Sequence, residues 1–443
     1  MFATEENVAL QSELLERIDQ ARSRTDELFA IVRPDAIYER PIPERHRLVF
    51  YVGHLEAFDW NLLRAYLPLE SFNPKFDRLF AFGIDPVGTG LPADQPSDWP
   101  SLAEVNQYRD QIRHALDTQL SAALSHEKSA KQFPASLLLN VAVEHRLMHA
   151  ETLAYLLHQL PLDRKIRPGL APVIAAEPFV PSMVKIPAGS ATLGISRTEE
   201  TFGWDNEYES YSVQVPAFAI DRYKVTNFEY LEFIAAGGYE NQELWSKPGW
   251  QWRTEHQISH PSFWKRNPAD NGWDLRTMFD EIPLPLSWPV YVSHAEAAAY
   301  ACWAGKSLPT EAQWHRAAFA APNGTERDYP WGSQPPDETF GNFNFSRWDP
   351  TPVNAFPKGA SAFGVTDLIG NGWEWTSTPF APFAGFEAFP FYRGYSADFF
   401  DGNHYVIKGG SAWTAACMLR RSFRNWFQPH YQYVYAGFRC VSR

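Results

Sequence analysis

At 443 residues the chain is too long for one ordinary hydrophobic core, and a formal charge of −13 without any long Lys/Arg run excludes a phosphate-neutralising, nucleic-acid-binding surface. No apolar stretch is long enough to span a bilayer, and the acidic, amphipathic start MFATEENVALQSELLERIDQ does not read as a signal peptide. Only Cys302, Cys417 and Cys440 are present, an odd number at wide spacing that suits reduced thiols, so the expectation is a cytoplasmic enzyme with small-molecule partners and no nucleic acid or membrane.

Residues 1–160 carry helical periodicity. Val8, Leu10, Leu14, Leu15 and Ile18 form the first apolar stripe. Three further segments follow: ERHRLVFYVGHLEAFDWNLLRAYL from Glu44, SLAEVNQYRDQIRHALDTQLSAAL, and PASLLLNVAVEHRLMHAETLAYLLHQL from Pro134. Four long helical patterns predict a four-helix bundle, with Pro134 in the first turn of the last helix and Pro161 ending it. The stretch 161–182 has five prolines and no periodicity and reads as a linker. From residue 183 to 443 the texture changes to short apolar runs broken by Gly, Pro, Asn and Asp, which predicts short strands and long loops pinned by aromatic side chains. Two helices stand out there, each with a capping box: Ser293 with Glu296, and Thr310 with Gln313.

His145 and His149 stand four residues apart on the fourth helix, about 40° apart around its axis, so both imidazoles can reach one ion. His54 in YVGHLEAFDWN can add a third ligand from a neighbouring helix. His46, His114, His126 and His158 read as ordinary polar residues of a bundle. His158 lies about 180° and Glu151 about 160° around the helix from His149, which puts both off the site. Three neutral imidazoles leave an ion its full charge and open positions, where an anionic thiolate binds readily. Iron(II) and zinc both remain open on the spacing alone.

The segments IPAGSATLGI, AIDRYKVTNFEYLEFI, PVYVSHAEAAAYACWAGKSLPTEAQWHRAA, YPWG, GVTDLIGNGWEWTS, IKGGSAW, RRSFRNWF and GFRCV, in that order, resemble the formylglycine-generating-enzyme/sulfatase-modifying-factor fold, a C-type-lectin-like architecture. The generators themselves need a cysteine pair for copper, and Cys417 and Cys440 do not stand where that pair is expected. GHLEAFDWN and HRLMHAET resemble the DinB-like bundle, whose three-His site maps to His54, His145 and His149. The fold class implied is α+β, a DinB-like four-helix bundle over 1–160 followed by a sulfatase-modifying-factor-like domain over 183–443.

That pairing of domains resembles ergothioneine sulfoxide synthases, with ovothiol and selenoneine synthases as relatives. The resemblance implies an iron(II) cofactor, molecular oxygen as co-substrate, N-α-trimethylhistidine (hercynine) as acceptor, and a thiol donor. Free cysteine is favoured over γ-glutamylcysteine or a selenium donor, although Arg109 and Arg113 at i,i+4 could hold the donor's carboxylates. In RRSFRNWFQPHY the resemblance implies acceptor binding by Asn425, Trp426 and Phe427, with Arg420 in the same segment; the Trp426 face suits a permanently cationic trimethylammonium group. An active-site tyrosine, the proton source that diverts oxidation from sulfur alone towards carbon–sulfur bond formation, is implied at Tyr395 in FPFYRGYSADFFDG, then Tyr392, with Tyr108 as a substitute. Gly370, Asn371, Gly372, Trp373 and Glu374 read as scaffold, at a turn where related folds sometimes hold calcium. Two other functions compete: a DinB-type metal-dependent thiol transferase working without oxygen, and a lectin-like binding module.

Overall fold

Apolar residues recurring every three to four positions build α1 (Phe2–Ala30), α2 (Leu48–Leu63), α3 (Pro74–Phe82), α4 (Leu102–Ser125) and α5 (Ala135–Gln159). This computed structural model describes residues 2–64, 70–83, 91–125, 133–169, 171–199, 201–269 and 271–442; His126 lies outside them. The chain divides into two units, Met1–Pro168 and Gly169–Arg443. In the first, α1 packs on α5, and α2 on α3, α4 and α5. The short α3 is an addition to the four expected helices. Asn73 caps it by accepting from the Phe76 amide, Pro74 opens it, and Phe76 and Phe80 bury its inner face. Pro134 is the N-cap of α5 rather than a first-turn residue, and Leu160 ends that helix just before Pro161. Of the proline-rich stretch, Lys165 pairs with Val32 and the Ile166 amide donates to Ile31, which closes the chain back onto the end of α1.

A buried ionic network ties four helices together. Arg146 of α5 donates to both Glu56 oxygens at 3.1 and 3.0 Å and to Asp59 at 2.6 Å, while Arg113 of α4 bridges Glu56 at 2.7 Å and Asp26 of α1. Burial alone would push the Glu56 carboxyl up, but Arg146 and Arg113 outweigh it and hold its pKa at about 2. Removing one member of such a cluster leaves the others buried and underpaired, so Glu56→Gln is expected to cost about 3 kcal/mol in denaturant unfolding at pH 7. Because the folded pKa is depressed, the Glu56 charge contributes its full stability above pH 4.5. The wild-type advantage over Glu56→Gln then shrinks as pH falls from 4.5 through about 2. A pH-independent difference between the two proteins would refute the ionic account.

The second unit runs β1 (Met183–Ile186), β2 (Gly189–Leu193), β3 (Tyr211–Val215) and β4 (Phe218–Asp221), then α6 (Asn227–Ala235) and α7 (Lys247–Glu255). Next come β5 (Trp264–Arg266), β6 (Trp273–Arg276) and β7 (Glu281–Pro283), followed by α8 (His294–Trp303) and α9 (Glu311–Phe319). The last strands are β8 (Trp373–Pro379), β9 (Tyr405–Lys408), β10 (Asn425–Phe427), β11 (Ala436–Gly437) and β12 (Val441–Ser442). They form small sheets ordered β1-β4-β12, β10-β9-β8-β11, β2-β3 and β5-β6-β7, antiparallel except for β11 on β8. Both expected capping boxes close, at Ser293/Glu296 and Thr310/Gln313. Among the described residues no helix is long and apolar enough to cross a membrane.

The core of this unit gathers Ile186, Ile220, Trp314, Phe319, Leu368 and Val441. Beside it Glu374 accepts from Arg439, Lys224 and the Trp314 indole, all within 2.9 Å. Gly370 precedes it at φ 82°, where a Cβ would stand 2.4 Å from the Asn342 carbonyl oxygen, so only glycine fits. The Asn371 side chain bonds Thr351 and Asp367. The Asn371 and Glu374 oxygens that a calcium ion would use are held by protein donors, which gives the Gly370–Glu374 turn a framework role.

Candidate functional site

Packing of α2 against α5 brings His54, His145 and His149 together, with one ring nitrogen from each lying within 4.8 Å of the others. The Nε2 atoms of His54 and His149 are 3.3 Å apart. Two nitrogens bound at about 2.1 Å to one tetrahedral ion would stand roughly 3.4 Å apart, so the pair fits a shared cation. His54 Nδ1 lies 2.7 Å from the Phe80 carbonyl oxygen and donates to it, which fixes the tautomer and leaves Nε2 as the free lone pair. His145 is stacked face to face on Phe58, with centroids 3.4 Å apart, and His54 on Phe50 at 4.7 Å. Burial pulls the His54 pKa down to about 4, against the rise from the Phe80 bond. Burial and the neighbouring imidazoles hold His145 and His149 well below the usual range. All three rings are therefore neutral near pH 7, the protonation state a metal requires.

In the second unit, β10 pairs with β9, so that Trp426 stands opposite Val406 and Phe427 opposite Tyr405. Alternation along the strand separates the run: Trp426 faces one way, Asn425 and Phe427 the other. Trp426 lies flat on Phe380 at 4.0 Å and meets Tyr395 edge-on at 5.4 Å and Phe399 at 5.6 Å. Phe427 stacks on Tyr431 at 5.2 Å, and the Asn425 side chain accepts from the Trp426 amide. Tyr395 is buried against Trp204, with centroids 4.0 Å apart, and Tyr392 adjoins both rings.

A DinB superfamily model matches residues 17–153, and a Sulfatase-modifying factor enzyme 1-like domain model matches residues 171–443. Hercynine oxygenase from Mycobacterium tuberculosis is 37% identical over 335 residues, covering 73% of this chain and 76% of the relative. Hercynine oxygenase from Mycolicibacterium smegmatis is 38% identical, covering 83% of each chain. The chain belongs to the hercynine oxygenase family. Ergothioneine biosynthesis protein 1 from Neurospora crassa is 28% identical, covering 92% of this chain and 55% of that protein.

Other residues singled out in the sequence fall away from the histidine cluster or into structural bonds. Arg109 pairs with Asp110, and Arg113 is engaged by Asp26 and Glu56. Both line a cavity of about 330 Å³ that is also bounded by Val52, Leu55 and Glu56, on the side of α2 away from His54, and none of the three histidines lines it. The i,i+4 spacing of the arginines is local, whereas their direction is set by the ion pairs between helices, so the structure does not bring them to the cluster. Tyr108 donates to Asp77 at 2.7 Å. Its burial and that bond push its pKa far above the ordinary value, so its proton is committed to the bundle. Arg420 donates to both Glu207 oxygens and to the Cys417 carbonyl. His46 meets Phe50 in a tilted contact at 4.2 Å, while His158 and Glu151 are buried on α5.

Sequence reasoning missed Phe80, whose carbonyl orients His54, and Trp204 with Asp205, which pack against the Tyr395 loop. The one available signal was GWDNEYES, three acids interleaved with two aromatic residues outside any periodic segment.

Proposed function

We propose that this protein is an iron(II)- and oxygen-dependent sulfoxide synthase that joins the sulfur of a thiol to the imidazole of N-α-trimethylhistidine in ergothioneine biosynthesis. The observation that carries the reading is a neutral three-imidazole cluster in a chain of the hercynine oxygenase family. The reaction balances as thiol plus imidazole C–H plus O2 giving sulfoxide plus water: one carbon–sulfur bond forms, S–H and C–H are lost, and four electrons pass to oxygen. Iron(II), when bound, supplies oxygen activation and thiolate affinity.

His54, His145 and His149 hold that ion without adding negative charge, which favours an anionic sulfur ligand. Trp426 offers the trimethylammonium group the π-face that Phe380 leaves uncovered, an attraction of about 0.5–2 kcal/mol, while Asn425 and Phe427, on the other face of β10, lie outside that contact. Tyr395 provides a proton from a hydroxyl that stays protonated at neutral pH. Free cysteine is the favoured donor, and the absence of disulfides among the described residues suits a reducing cytoplasm.

Iron-loaded protein given trimethylhistidine, oxygen and each donor in turn, read by mass, should yield the coupled sulfoxide, most from cysteine. Turnover without oxygen would instead favour a thiol transferase. Trp426→Ala is expected to raise KM for trimethylhistidine by roughly tenfold while changing KM for the thiol little. Equal effects on the two constants would count against the assignment of Trp426.

A further inference from the structure

Trp204, Asp205, Asn206 and Glu207 are completely buried, and each edge of this short segment grips a different part of the aromatic site. Asp205 Oδ1 accepts from the Ser396 hydroxyl at 2.5 Å, and Oδ2 accepts from the Phe389 amide at 3.4 Å. One carboxylate thus ties both ends of the loop 389–396, from partners 191 and 184 residues away in sequence. Between those ends, the Trp204 ring stacks on Tyr395 at 4.0 Å. On the other side Glu207 accepts from Ser422 at 2.6 Å and from Arg420, and the Asn206 carbonyl accepts from Arg424, all just ahead of β10 and Trp426.

Placing a carboxylate in a fully buried position costs several kcal/mol, and here only neutral donors offset the cost: burial pushes the Asp205 carboxyl above its ordinary range, against the Ser396 hydroxyl and the Phe389 and Asn206 amides. Such a group is retained for the geometry it imposes. We propose that Asp205 is a positioning residue which, through Ser396 and the Phe389 amide, sets Tyr395 against Trp426 for proton delivery. The assignment rests on the proposed role of Tyr395. Asparagine keeps one acceptor oxygen for the Phe389 amide only by turning its N–H2 towards Ser396, whose hydroxyl must then accept instead of donate, so Asp205→Asn weakens the tie where Ser396→Ala removes it.

The test uses the iron-loaded full chain and compares wild type, Asp205→Asn, Ser396→Ala, Tyr395→Phe and the Ser396→Ala/Tyr395→Phe double variant. Ser396→Ala removes a single bond, so it keeps the test valid should Asp205→Asn fail to fold. Hydrogen exchange at residues 389–396 should accelerate in Ser396→Ala while α5 stays protected. The ratio of thiol sulfinate to coupled sulfoxide should rise roughly tenfold with iron content unchanged. The double variant should show a ratio no higher than Tyr395→Phe alone, since Ser396 acts only through that hydroxyl. Unchanged exchange, or a wild-type ratio in Ser396→Ala while Tyr395→Phe raises it, overturns the inference. An unshifted ratio in Tyr395→Phe instead counts against the role of Tyr395, and exchange alone then decides whether Asp205 orders the loop.

Discussion

His145→Ala is expected to lose stoichiometric iron and turnover together while keeping its helical content. His145 is the buried member of the cluster, held flat on Phe58, and its removal leaves two imidazoles. Disturbing even a group that only orients a ligand costs 10–100-fold in metal affinity, so loss of the ligand itself should exceed about 100-fold. The cavity left behind costs roughly 2 kcal/mol, too little to unfold a bundle pinned by the Glu56–Arg146–Asp59 network. Iron per chain after gel filtration, circular dichroism and product yield measure the three quantities. A His145→Ala protein with full iron and full activity would falsify the ligand assignment. Loss of helicity along with the iron would show that the ring mainly fills the core.

Tyr395→Phe is expected to retain iron and to bind both substrates, yet to divert oxygen chemistry from the coupled sulfoxide to thiol sulfinate. The substitution isolates the hydroxyl, because the stack on Trp204 and the edge contact with Trp426 need only the ring. A positioned general acid contributes about 10²–10⁴ in rate, so the product ratio should move by roughly 100-fold. Mass analysis of both products in one reaction gives the ratio directly. If it stays at the wild-type value, the proton comes from a source other than Tyr395. Tyr108 is a poor replacement, since its proton is engaged by Asp77.

Local and periodic information was legible in the chain itself. Two histidines four apart share a helix face whatever surrounds them, and the capping boxes at Ser293 and Thr310 close within three residues, so both follow from the geometry of a helix alone. That a helical part precedes a loop-rich part was legible for the same reason, as a change of hydrophobic period. The short α3 was not, because nine residues hold too few turns for a periodic signal, and its stability comes from packing Phe76 and Phe80. In NWF the three neighbours looked like one patch, and strand alternation divides them.

What the sequence by itself determined is therefore the family, the two-part architecture and the same-face relation of His145 and His149. Only tertiary structure decided that His54 faces that pair with its tautomer set by Phe80, that Arg113 is consumed by Asp26 and Glu56, and that Asp205 reaches across 191 residues to Ser396. The physical reason is that covalent spacing and helix period act over a few residues. The direction of a buried polar side chain is instead set by whichever distant donor or acceptor satisfies it once water is gone.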